Sequence, residues 1–117
     1  MALAFDAASE SGTPNSGWTH TPVGTPRAAI VYVWDLVNPP TDQVSGVTYG
    51  GTSMTEVSGS PLDHAGNAPP EAATLHCFVL LSSVPTGAQT VTVTNSASSS
   101  DRAYCATFTG GDDGEVD

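Results

Sequence analysis

The stretch "RAAIVYVWDLV", Arg27 to Val37, decides how the chain folds. It is β-branched, aromatic and almost continuously apolar. Val, Ile, Tyr and Trp are the side chains that a pleated surface packs best. Such a run predicts a central strand covered on both faces. Trp34 alternates with Tyr32 and Leu36, so one face of this strand is rich in aromatic residues. If that face is an outer one, it is a docking surface. "NPPTDQ" (Asn38 to Gln43) ends the run, because proline offers no N–H to a ladder.

The segments on either side repeat the same grammar. "VTYGGTSM" (Val47 to Met54) places Gly50-Gly51 between two alternating segments. A type I′ hairpin turn needs positive φ at both central residues, which two glycines supply. That register pairs Tyr49 with Thr52 and Val47 with Met54. "ATLHCFVLLSS" (Ala73 to Ser83) is a second continuous apolar run and a second central strand. "AQTVTVTNS" (Ala88 to Ser96) alternates, Val91 and Val93 facing one side and the threonines the other, as in a half-buried strand. "RAYCATFTG" (Arg102 to Gly110) closes the series, with Tyr104, Ala106 and Phe108 on one face. Before the central run, "LAFDAAS" (Leu3 to Ser9) and "WTHTPV" (Trp18 to Val23) read as strands. "SGSPLDHAGNAPPEA" (Ser58 to Ala72) reads as a long loop. Helical periodicity is nearly absent, and the 12 Gly and 9 Pro recur too often for a long helix. About eight short strands predict an all-β fold, a single antiparallel β-sandwich of jelly-roll or immunoglobulin-like topology. The sandwich spans residues 1–110, and residues 111–117 form an acidic tail.

Composition narrows the function. Twelve Asp and Glu against two Arg and no Lys give a formal charge of −10. Phosphate contacts need Lys or Arg, so no nucleic-acid footprint is expected, nor attraction to an anionic membrane. A partner is expected to offer a basic or neutral patch. Cys77 and Cys105 read as buried thiols, with a disulfide as the alternative. "MALAFDAASESG" has neither a basic start nor a long apolar run, so the chain is expected to be made in a cytoplasm.

Catalytic chemistry finds little support. His20, His64 and His76 lack metal-ligand spacing, and His76, in an apolar strand, reads as a satisfied core or interface histidine. No serine sits in a G-x-S-x-G elbow. Asp35, Asp42, Glu56, Asp63 and Glu71 are scattered, without a pair suited to acid–base work. Asp112, Asp113, Glu115 and Asp117 lack the EF-hand pattern and read as a solvated tail. No enzyme, metal or cofactor is expected. Trp18, Tyr32, Trp34 and Tyr49 could form a sugar-stacking platform, but strand aromatics usually belong to the core.

The order "FDAAS", "WTHT", an apolar strand, "VTYGGTSMTEV", "VPTGAQTVTVTNS" and "ATFTGGD" resembles a β-sandwich module of tailed-bacteriophage virion proteins that also occurs in bacterial surface proteins. The resemblance spans nearly the whole chain. It implies a structural or adhesive role without cofactor. The expected function is a capsid decoration (cement) protein on the outside of the phage head. Its partner would be the major capsid protein or another virion subunit, and a homo-oligomer is compatible with the role. Contacts are expected at Leu3 and Phe5, at Asn38, Pro39 and Pro40, and at Leu62, Asp63 and His64. Gly50 and Gly51 are structural. The alternative is a carbohydrate-binding, adhesin-like module of a tail, fibre or secreted surface protein, with a glycan as ligand.

Overall fold

A computed structural model describes residues 3–11, 17–36, 44–64, 73–95 and 102–110. These form ten strand segments and no helix: β1 (Leu3–Glu10), β2 (Trp18–His20), β3 (Ala28–Leu36), β4 (Val44–Tyr49), β5 (Thr52–Ser53), β6 (Thr55–Glu56), β7 (Leu62–His64), β8 (Ala73–Leu80), β9 (Gln89–Asn95) and β10 (Arg102–Gly110). The larger sheet runs β1-β10-β3-β8-β6, with β7 also paired to β8. The smaller sheet runs β2-β9-β4-β5. All pairings are antiparallel.

The chain alternates between sheets, so β1 and β2 lie in different sheets, as do β3 and β4, and β9 and β10. Two four-strand orders, β1-β10-β3-β8 and β2-β9-β4-β5, interlock as a jelly roll. An immunoglobulin-like order would keep the first two strands side by side in one sheet. β6 and β7 lie along the same edge of β8, separated by a tight turn with a cis Ser60–Pro61 bond. They make one interrupted edge strand, whose second part, β7, falls within the segment expected to be a loop. That raises the expected eight strands to nine. Proline breaks the ladder at Pro61, as it does on edge strands generally.

The core lies between the sheets. Val31 and Val33 of β3, Phe78 of β8, and Ala103 and Cys105 of β10 meet Val47 and Tyr49 of β4 and Val91 and Val93 of β9. Burying each large apolar side chain contributes about 1.5–3 kcal/mol. The Gly-Gly hairpin forms as expected: Tyr49 pairs with Thr52, and the Met54 N–H donates to the Val47 carbonyl at 2.9 Å. Gly50 and Gly51 have φ of 56° and 82°, the left-handed values that a type I′ turn requires.

β3 is central, paired to β10 on one side and β8 on the other, yet it is covered on one face only. Tyr32 and Trp34 are 45% and 40% exposed, whereas Val31, Val33 and Asp35 are fully buried. The expectation of two-sided cover therefore fails, as does the assignment of all four aromatics to the core. Tyr49 is wholly buried and Trp18 packs against the core cluster, but Tyr32 and Trp34 face out.

The Tyr49 hydroxyl is buried with no hydrogen-bond partner, and burial pushes its pKa up to about 12. A buried unsatisfied hydroxyl costs about 1–3 kcal/mol. Tyr49→Phe is therefore expected to raise the urea midpoint, or to leave it unchanged, in equilibrium unfolding. A loss above about 1 kcal/mol would show that the hydroxyl has a partner.

Candidate functional site

Strand alternation sorts the larger sheet into two chemistries. On its outer face one cross-strand row runs Arg102, Trp34, Leu75, Leu62. The next runs Glu10, Tyr104, Tyr32, Cys77. Tyr104 is 47% exposed and Leu62 64% exposed. At the far end Phe5 and Phe108 meet edge to face at 6.3 Å. A hollow of about 370 Å³ opens between Tyr32, Trp34, Leu75, Arg102 and Tyr104. Single exposed apolar residues are ordinary, but a contiguous aromatic patch marks a binding surface.

Two charges lie within these rows, Glu10 and Arg102, both exposed. Most of the face is therefore apolar and uncharged, although the chain as a whole carries −10. Tyr32 hydrogen-bonds the Cys77 thiol, and burial holds that thiol above its ordinary pKa. Cys105 points into the core, where burial pushes its thiol up to about 12. Both cysteines are free. They lie on opposite faces of the sheet with β3 between their strands, so the disulfide alternative is geometrically closed. Neither thiol has the depressed pKa of a nucleophile.

The inner face carries a polar chain at the β1/β2 edge. A bulge in β1 falls between Phe5 and Ala7 and re-aims Asp6. The Asp6 carboxylate accepts the Gly24 N–H at 2.8 Å, the Val23 N–H at 3.2 Å and the Thr107 hydroxyl at 2.9 Å. With its proton given to Asp6, the Thr107 oxygen accepts from His20 Nε2 at 3.0 Å. His20 Nδ1 is then an acceptor for the Ser9 hydroxyl at 2.8 Å. Ser9 in turn accepts from the Trp18 indole at 3.0 Å. The tautomer of His20 follows from the chain itself. Ser9, Thr107 and Asp6 belong to the larger sheet, and His20 and Trp18 to the smaller. The chain therefore clasps the two sheets together. Ser9 has both its proton and a lone pair engaged, which suits a tie better than a nucleophile.

On the opposite edge His76 donates from Nδ1 to Glu56 at 2.7 Å. Ser60 donates to the same carboxylate oxygen at 2.8 Å and accepts the Cys77 N–H at 3.0 Å. His76 is thus a buried histidine held to Glu56 through Nδ1, while its Nε2 makes no hydrogen bond among the described residues. Among the described residues no three His, Cys, Asp or Glu side chains converge as metal ligands.

The expected contact residues are only partly gathered. Phe5, 66% exposed, and Leu62 stand on the outer face of the larger sheet, and Leu3 begins β1. Asp63 and His64 are placed by backbone register opposite Thr74 and Ala73. Asn38, Pro39 and Pro40 lie outside the described residues, as does the acidic tail. Tyr32 and Trp34, whose face was expected to dock if it proved an outer one, do stand on the outer face, beside Leu75 and Tyr104, which the sequence did not single out as contacts. Their signal was the apolar residue at every second position of three strands that turn out to be neighbours. No family model matches the chain, and no curated protein or solved structure gives a significant match.

Burial holds the His20 pKa below its ordinary 6.5, against a weaker pull upward from Asp6. Partial burial raises the Asp6 carboxyl, but the bonds from Gly24, Thr107 and Val23 together bring it below its ordinary 3.8. For both groups the unfolded chain binds protons more readily than the folded one, so stability is lost as pH is lowered. The His20 contribution is complete above pH 6.5 and is lost as pH drops through the folded value. That of Asp6 is lost below 3.8. Thermal midpoints across pH 8 to 3 should fall in these two windows, and His20→Gln should remove the upper one. Thr107→Val, which breaks the chain at its middle, should cost about 1–3 kcal/mol at pH 7.

Proposed function

We propose that this chain is a non-enzymatic virion structural protein of a tailed phage. It docks as a decoration (cement) protein on the outer surface of the assembled head. The observation that carries the reading is the aromatic outer face built from Tyr32, Trp34, Leu75 and Tyr104. Trp, Tyr and Arg are the side chains that dominate binding energy at protein interfaces. This face offers all three around one hollow. The phage context rests on the resemblance of the order of sequence segments to phage β-sandwich modules.

The mechanism is interfacial. A rigid sheet presents its aromatic rows to neighbouring capsid subunits and buries them there. Binding only the assembled lattice stabilises it by mass action. The charge of −10 calls for a basic or neutral rim on the partner and makes association salt-dependent. The same surplus of negative charge disfavours stacking of free copies face to face.

The exposed aromatic trio also supports a second reading, a glycan-stacking module. Titration with glycans while following Trp34 fluorescence separates the two. Saturable quenching by sugars, with no protein on purified heads, would favour the second.

The test is particle binding. Heads lacking the protein should take up the wild-type chain at a fixed copy number seen by cryo-electron microscopy. Trp34→Ala and Tyr32→Ala should each weaken uptake by about 30-fold, the loss expected of an interface hot spot. Their thermal midpoints should stay close to wild type, because neither side chain belongs to the core. Undiminished uptake by both variants would reject this face as the docking surface.

A further inference from the structure

The inner face of the larger sheet ends in a row that the docking reading does not use. Asp35 of β3 is the register partner of Thr74 of β8, and Thr74 is the register partner of Asp63 of β7. Asp35 and Thr74 are both wholly buried. Neither carboxylate oxygen of Asp35 has a hydrogen-bond partner, and neither does the Thr74 hydroxyl. Directly paired residues on one face bring their Cβ atoms to about 5 Å. Two paired side chains therefore carry three buried oxygens without partners at one end of the sandwich.

The cost of this arrangement points to a ligand. A buried carboxylate without hydrogen bonds or an opposite charge is among the most expensive groups a fold can hold. The nearby polar groups do not relieve it. His76, two residues along the same face of β8, gives its Nδ1 proton to Glu56, and no hydrogen bond joins its Nε2 to Asp35. The only two cations in the sequence are Arg27 and Arg102, and both are exposed. Arg102 pairs with Trp34 in the outer row.

We propose that Asp35 and Thr74 form part of a binding site for a hard, oxygen-seeking cation of the calcium class. The donors are carboxylate and hydroxyl oxygens, which hard cations prefer to thiolate or imidazole. Calcium completes six to eight oxygen ligands with carbonyls and water, so it does not need the three converging acidic or imidazole groups that zinc would require. A chain of charge −10 also concentrates cations around itself. The site lies inside the sandwich, away from the outer aromatic rows, and stands independently of the docking face.

The test uses the whole chain after chelator treatment and dialysis. Calcium, magnesium and sodium chlorides are added at matched ionic strength, and the thermal midpoint and calorimetric binding are followed. Millimolar calcium should raise the midpoint by about 5 °C or more and bind with one-to-one stoichiometry. Asp35→Asn should abolish both responses, while the variant keeps a cooperative cation-free unfolding transition. Thr74→Val, similar in volume, should weaken calcium binding by about tenfold, and it serves if Asp35→Asn does not fold. Saturable binding of sodium or magnesium that vanishes in Asp35→Asn would keep the site and reassign the ion. No response to any of the three salts would overturn the proposal. So would an equal response in wild type and both variants, which would mark screening of surface charge.

Discussion

The structure depends on the alternation of β3. This strand lies between β10 and β8 in the larger sheet, so its pleat sets the facing of both neighbours. Val31 and Val33 point at the smaller sheet and are wholly buried, locking the register. A slip of one residue would exchange them for Tyr32 and Trp34 and empty the core of its fit. Once the inner set is fixed, the outer set has no freedom. Tyr104, Leu75 and Leu62 fall beside Tyr32 and Trp34 because register leaves them nowhere else.

Polar chemistry closes the edges of this sandwich. At one edge the Asp6–Thr107–His20–Ser9 chain joins the two sheets, and at the other Glu56 and Ser60 tie the interrupted edge strand to β8. Both devices use buried or half-buried side chains whose partners are specified by donor and acceptor type. Apolar packing between two flat sheets tolerates sliding, whereas these bonds do not. The bulge at Asp6 serves the same end, since it breaks the ladder of β1 and turns an exposed edge strand away from further pairing. Stability is thus concentrated between the sheets and at their edges. That leaves the outer aromatic face free of structural duty.

The separation bears on the proposed docking of an acidic chain. Charge of one sign keeps free copies apart, while the outer rows of the larger sheet hold mostly uncharged side chains. Repulsion acts at a range of about 8–10 Å in physiological salt, and apolar burial acts only at contact. Under the proposed docking, copies would repel one another at a distance while the outer rows meet an uncharged partner at contact.

Much of this was legible in the chain. The β class, the central apolar run, the Gly50-Gly51 turn and the alternation of Val91 and Val93 are local patterns, and local patterns follow from strand periodicity and turn sterics alone. The absence of Lys and the weight of Asp and Glu set the electrostatics without any fold. What tertiary structure decided was neighbourhood. An apolar side chain at every second position looks the same whether a second layer covers it or solvent does, so Tyr32 and Trp34 read as core until the sandwich left their side open. The Asp6–Thr107 bond joins residues 101 positions apart, a pairing that no periodicity announces. Sequence determined which residues share a face of a strand. Only the packing of two sheets decided which of those faces met water, because burial is a property of the neighbours and not of the strand.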